Sequence, residues 1–258
     1  MDAPAAVKRV KVNRLLPYWA VFQADLKQTF RSWLYRLWVL LSLGMALGYL
    51  LYRYGAKQVG GFNEQASDLM SHLINWIVLG SVTLIIVLTA GSISSERGTA
   101  ADSVLSRGIS RFQYFLGKWH ARLAAILGTF FVMGVVILAA SLCMLHGDNM
   151  KIMGALVALT AVTAILGAVI TCGVTVSAIA NTTLISIAIG WLVVNAAGFL
   201  LTLLPAAYPT PDRVLNNIPY ILQGQYDVSA VGRLILASMG LSLVAALIGM
   251  FYFSRRDV

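Results

Sequence analysis

A site that does chemistry needs a nucleophile, a proton carrier or a set of metal ligands brought to one depth, and this chain has few of them. His72, His120 and His146 stand far apart, with no zinc-ligand spacing. Ser141, Ser177 and Ser186 lie in apolar stretches with no histidine or aspartate at matching depth, so an intramembrane protease is not expected. Cys143 and Cys172 also lie in apolar stretches and read as small buried hydrophobes. Gly117-Lys118-Trp119 lacks the glycine-rich approach and the hydroxyl of a phosphate-binding loop. No catalytic residue, resident cofactor or metal ligand is therefore expected, and the chain is not expected to be an enzyme.

The stretch that stands out is Ser94 to Lys118, about 25 residues where a plain helix connector needs about two to eight. Thr99 with Asp102 resembles a capping box, with Asp in place of the usual Glu or Gln. A short helix carrying Ala101, Val104 and Leu105 would follow, and Gly108 would stop it. Ser110 with Gln113 is a better capping box and opens the next helix. Val104 and Leu105 then stand at the tip of a charged loop. They form either a docking surface or a contact with the loop's own helix ends. Glu96 either pairs with Arg97, Arg107 or Arg111 or touches a partner directly.

The elements that must position this loop are membrane spans. Hydrophobic residues make up 59% of the 258 and charged ones only 11%, against about a quarter in soluble domains. With a mean hydropathy of +0.80, the chain is too apolar for a soluble fold. Six segments reach the length of a spanning helix: 37–54, 73–92, 119–145, 152–178, 184–204 and 234–253. Fourteen Lys and Arg residues fall on the side of the termini and five on the other, which predicts cytoplasmic termini. The net charge of +9 thus reads as basic loops facing an anionic leaflet, and nucleic acid is not an expected partner. No carboxylate lies mid-span, which argues against a proton-coupled carrier or cation channel. Arg122, a few residues into the third span, is expected to snorkel to the cytoplasm.

Residues 1–36 precede the spans at 37–258. Within them Trp19, Phe22, Leu26, Phe30 and Trp33 recur at steps of three and four, with polar residues between. This predicts an amphipathic interfacial helix over Tyr18 to Arg36 with its aromatics toward lipid, serving as an anchor alone or also flanking a cytoplasmic partner. Beyond the fifth span, Pro205, Pro209, Pro211 and Pro219 with Tyr220 suggest either short interfacial helices or a plain structured loop, with Asp212 and Arg213 solvated. Asn195, near Trp191 in the fifth span, is expected to make an interhelical hydrogen bond or to contact substrate.

Glu96-Arg97-Gly98-Thr99, Val104-Leu105-Ser106, Ile109-Ser110-Arg111 and Phe115-Leu116-Gly117-Lys118 together resemble the signature of the ABC-2 family of membrane permeases. Two departures are visible. Gly98-Thr99 follows Glu96-Arg97 directly, and Arg107-Gly108 stands where a proline is common. The resemblance implies an all-α ABC-2 type fold with six spans, an N-terminal interfacial helix and a cytoplasmic coupling helix between spans two and three. It implies a permease subunit that exports or flips a substrate, paired as a homodimer or with a related permease. Two separate ATPase subunits would bind the ATP and magnesium. Glu96, Arg97, Gly98, Thr99, Asp102, Val104, Leu105 and Arg107 would carry the contact with the ATPase. Pro205, Pro211, Pro219 and Tyr220 would belong to an outer gate. A bacterial inner membrane is the implied location, with membrane lipids and a periplasmic accessory protein as further partners. The same scaffold also serves systems that pass ATPase motion to a periplasmic or membrane partner without transport.

Overall fold

The computed structural model describes residues 15–60, 65–96, 109–144, 150–205 and 208–255. Their regular structure is all helical, and six of the helices are long and apolar enough to cross a membrane. That is the architecture of a multi-pass membrane protein. In chain order the helices are α1 (Leu16–Arg31), α2 (Trp33–Gln58), α3 (Ala66–Ser94), α4 (Arg111–Met144) and α5 (Ile152–Ile179). Then come α6 (Thr183–Thr202), α7 (Pro211–Asn216), α8 (Ile218–Leu222) and α9 (Val228–Arg255). The candidate spans are α2 to α6 and α9, each overlapping an expected segment.

Helix α5 is the axle of the bundle, since more than half of its apolar window is buried and α3, α4, α6 and α9 pack around it. Small residues allow this. A Cβ on Gly173 would collide with Thr89 of α3, and one on Gly249 of α9 would come within 3.0 Å of Thr175. Hydroxyls then stitch the seams. Trp119 Nε1 donates to Thr171 Oγ1 at 3.0 Å, Thr175 Oγ1 donates to the Ala245 carbonyl at 2.9 Å, and Ser177 Oγ donates to the Ala90 carbonyl at 2.6 Å. Ser177 Oγ also accepts the amides of Ile93 and Ser94 where α3 ends. The small face of α5 is thus the main packing seam. Helix α6 is the opposite case, with only Ser186 and Gly190 buried.

One boundary differs from expectation, and one open alternative is decided. The amphipathic pattern runs through to Arg36, but the helix breaks at Ser32, whose backbone is extended. Ser32 Oγ accepts the amide of Tyr35 at 3.3 Å and so caps the start of α2. Trp33 therefore belongs to the first long helix and not to α1. At the far end, the proline-rich segment forms two short helices. Thr210 caps α7 by accepting the Arg213 amide, and Pro211 and Pro219 sit in the first turns of α7 and α8, where a missing N–H costs nothing.

Candidate functional site

Where α3 ends and α4 begins, the chain buries a cluster of charge that apolar patterning hides. Asp25 of α1 and Lys118 and Arg122 of α4 are only 2%, 3% and 7% exposed. Lys118 Nζ donates to Asp25 Oδ1 at 3.2 Å, to Glu96 Oε1 at 2.7 Å and to the Ser92 carbonyl at 2.7 Å. An ammonium has three protons, and these three acceptors use them all. Arg122 Nε lies 3.0 Å from Asp25 Oδ2 as an ion pair. Its Nη2 donates to Asp25 Oδ1 at 3.3 Å and its Nη1 to the Leu88 carbonyl at 3.2 Å. The Tyr114 hydroxyl completes the group by donating to Glu96 Oε2 at 2.6 Å. Two carboxylates face two cations, so the buried charge balances.

Local sequence brings these groups together. Val21, Asp25 and Thr29 recur every fourth residue and form the buried face of α1. That face reaches α4 through Gly117, where an added Cβ would lie 2.9 Å from Val21 and 3.2 Å from the Tyr18 carbonyl. Gly117 thus lets the two helices touch, and Lys118 and Arg122, four residues apart on α4, then reach Asp25. Tyr18 Oη sits 3.0 Å from His120 Nδ1, and burial pushes the Tyr18 phenol above its ordinary pKa. Burial alone would raise the Glu96 carboxyl too, but the Lys118 charge and hydrogen bond, the Tyr114 hydroxyl and the Arg122 charge together hold it below its ordinary value.

The start of α4 is braced from two further directions. Ser110 and Gln113 close the expected capping box in both senses: Gln113 N donates to Ser110 Oγ at 3.2 Å and Ser110 N to Gln113 Oε1 at 3.1 Å. The tail of α9 packs alongside, with Phe253 stacked on Tyr114 at 5.9 Å and Arg111 Nη1 donating to the Ser254 carbonyl at 3.2 Å.

Several expectations change here. Arg122 does not snorkel; it is buried and paired with Asp25. Glu96 is bound by Lys118 and Tyr114 rather than by Arg111, which reaches the end of α9. Asp25, placed by pattern among the polar positions, is on the protein-facing side because its partners arrive from α4. Arg97, Gly98, Thr99, Asp102, Val104, Leu105 and Arg107 lie outside the described residues. Trp19 and Phe30 are exposed and Phe22 and Leu26 are half-buried, so this side of α1 lies away from its buried face; Trp33, also exposed, opens α2.

Asn195 does not bond between helices; its Nδ2 donates to the Trp191 carbonyl one turn back at 2.7 Å, and both residues are exposed on α6. Arg213 is not simply solvated. It donates to the carbonyls of Leu204, Pro205 and Tyr208 at 2.7–2.8 Å and latches the end of α6 to α7. Tyr220 lines a cleft of about 360 Å³ with Tyr208, Asn217 and Asp227. Among the described residues no three His, Cys, Asp or Glu side chains gather as a metal set.

Geometrically the cluster is a joint. It ties α1, the end of α3 and the start of α4 into one body at the two stems of residues 97–108. No protein-family model matches the chain, and no curated protein matches it in sequence.

Proposed function

We propose that this chain is the membrane permease subunit of an ABC transporter of the ABC-2 type, moved by ATP hydrolysis on a separate subunit. The observation that carries the proposal is the buried joint at the stems of residues 97–108. A loop that only connected two spans would need no such foundation. Here Glu96 on one stem and Tyr114 and Lys118 on the other are bound to each other and, through Asp25, to α1. A push on the loop would reach α1, α3 and α4 together, because breaking a buried ion pair costs about 3–5 kcal/mol. Such a linkage suits an ATPase docked against Val104 and Leu105. Two ATPase copies would bind the ATP and magnesium in the cytoplasm, and both ends of this chain would face them from a bacterial inner membrane.

The exposure of α6 supports a paired assembly. With only Ser186 and Gly190 buried along 20 residues, it offers Trp191 and Asn195 to a neighbour, and a second copy of this chain would supply one. The substrate would be exported or flipped between the two copies.

The test is affinity purification of the full chain from its native cells in mild detergent. A stoichiometric ATP-binding subunit is expected with the wild type, and Leu105→Asp is expected to lose it while still inserting. A wild-type preparation without any ATPase, or undiminished ATPase capture by Leu105→Asp, overturns the assignment of this loop.

A further inference from the structure

Where α1 turns into α2, a groove of about 490 Å³ opens between α2 and α4. That volume lies in the range of small-molecule sites. Val39 and Leu43 line one wall, α4 from Ala124 to Val136 lines the other, and Phe30 of α1 lines the end at the elbow. Ala124 and Val136 are twelve residues apart, so the groove runs about 18 Å along α4. That is about one leaflet of a roughly 30 Å hydrocarbon core, and well short of a spanning helix. Gly128 keeps it open. A Cβ there would meet nothing within 4 Å, whereas one on Gly117 or Gly173 would strike a neighbouring helix. The one hydroxyl in the walls is already spent, because Thr129 shares a hydrogen bond with Tyr35. Charge gathers only at the elbow. Lys27 and Arg31 flank Phe30 on α1, one turn before it and one residue after it, and both are exposed. Arg36 is exposed too, and its Nε donates to the Phe30 carbonyl at 3.3 Å, which holds the guanidinium beside the groove's end. Its Nη groups have no partner among the described residues, and no ion pair among those residues engages Lys27, Arg31 or Arg36. The one acid of α1, Asp25, is on the helix's buried face with Lys118 and Arg122.

We propose that this groove holds one anionic phospholipid, with an acyl chain along Gly128 between α2 and α4 and the phosphate against Arg36. The shape and the charge both lead there. A phospholipid has a phosphate at one end and an apolar chain about one leaflet long, in the order the groove presents. A guanidinium recognises phosphate through paired, charge-assisted hydrogen bonds, and the free Nη groups of Arg36 supply them. A net-anionic headgroup is preferred over a zwitterionic one, because three cations stand at the elbow and no acid balances them. A helix of a second copy fits less well. A span of about 20 residues is longer than the groove and would run on into Phe30 and the cations around it. The site is independent of the transporter assignment, since neither Arg36 nor Gly128 belongs to the joint.

The full chain would be reconstituted in nanodiscs of equal parts phosphatidylglycerol and phosphatidylcholine, released into mild detergent and weighed by native mass spectrometry. The wild type is expected to retain one phosphatidylglycerol per chain in preference to phosphatidylcholine. Arg36→Gln is expected to lower that retention about tenfold, the loss of one charge-assisted contact. Arg36→Lys, which keeps the charge, is expected to retain most of it and separates loss of charge from loss of fold. Arg233→Gln, which removes an exposed cation near the start of α9, is expected to change nothing. Gly128→Leu, which fills the groove, is expected to lower retention of both lipids. Equal retention of phosphatidylglycerol by wild type and Arg36→Gln overturns the proposal, and so does an equal loss in Arg36→Gln and Arg233→Gln, which would reduce the effect to overall charge. A Gly128→Leu chain that keeps its lipid but changes oligomeric mass also overturns it, because a helix would then occupy the groove.

Discussion

At the end of the bundle where α1 lies, four charged side chains meet, three of them buried and Glu96 half-buried, and each leans on a charge of opposite sign. At the opposite end, α7 and α8 are held by neutral contacts and one arginine. Arg213 spends its guanidinium on three carbonyls, the Lys151 amide donates to the Leu222 carbonyl at 2.8 Å, and Gly154 lets α8 rest on α5. The contrast teaches where stiffness is concentrated. Buried opposite charges are all-or-none, because removing one partner strands the other. Carbonyl contacts near the surface can be exchanged for water one at a time, at about 0.5–1.5 kcal/mol each, or up to about 3 with a charged donor. The first end is stiff; the second can loosen one contact at a time.

The sharpest way to break this contrast is Asp25→Ala, which strands the buried Arg122 without a carboxylate and leaves Lys118 with Glu96 alone. A loss of about 3–5 kcal/mol is expected in reversible unfolding in detergent. A change below about 1 kcal/mol would show that water or lipid enters the joint and that the two ends are alike. Gly117→Leu should follow, at about 1–3 kcal/mol, because its side chain must displace Val21. Protease cutting of the α1–α2 junction near Ser32 is expected to rise while the remaining spans stay protected. Arg213→Ala should cost about 1–3 kcal/mol at the far end, and hydrogen exchange should rise in α7 and α8 but not in α1. Exchange that rises in α1 as well would mean that the ends are coupled.

Two smaller effects refine the first end. Ser110→Ala removes one half of the capping box and should cost about 1 kcal/mol, read from the same unfolding curve. Glu96 gives a pH signature. Its folded pKa lies below the ordinary carboxylate value, so the stability it contributes is present above that ordinary value. It is lost as pH falls through the lowered folded pKa. The gap between wild type and Glu96→Gln should therefore be full near neutrality and close on acidification below about pH 4. A gap that widens in acid would reverse the sign and remove Lys118 as the dominant partner.

Much of the scaffold is legible from hydropathy alone. All six long helices lie where apolar runs of spanning length predict them, because lipid demands uninterrupted apolar helix. The Ser110–Gln113 capping box and the first-turn Pro211 are legible too, since their chemistry spans three residues. What patterning misses is set by distant partners. The break at Ser32 is hidden because the aromatic rhythm continues across it, while a single serine decides the turn. Arg122 looks like a snorkelling cation because nothing near it in sequence is acidic. Its carboxylate comes from Asp25, 97 residues away. The traces that could have pointed there are slight: Asp25 in register with Val21 and Thr29, and a glycine beside a lysine at the start of an apolar helix.

The separation of Asp25 from its partners also has a consequence in time. Asp25 leaves the ribosome well before Lys118, which follows 93 residues later. At about 5–20 residues per second, α1 waits roughly 5–20 seconds for the helix that neutralises it. During that interval the nascent chain can hold α1 only at the membrane surface, where the carboxylate stays hydrated. Docking of α1 then reports that α4 has been inserted with the right polarity. A chain stalled or inverted before α4 would leave Asp25 wet and α1 undocked, a visible mark for the proteases that clear unfinished membrane proteins.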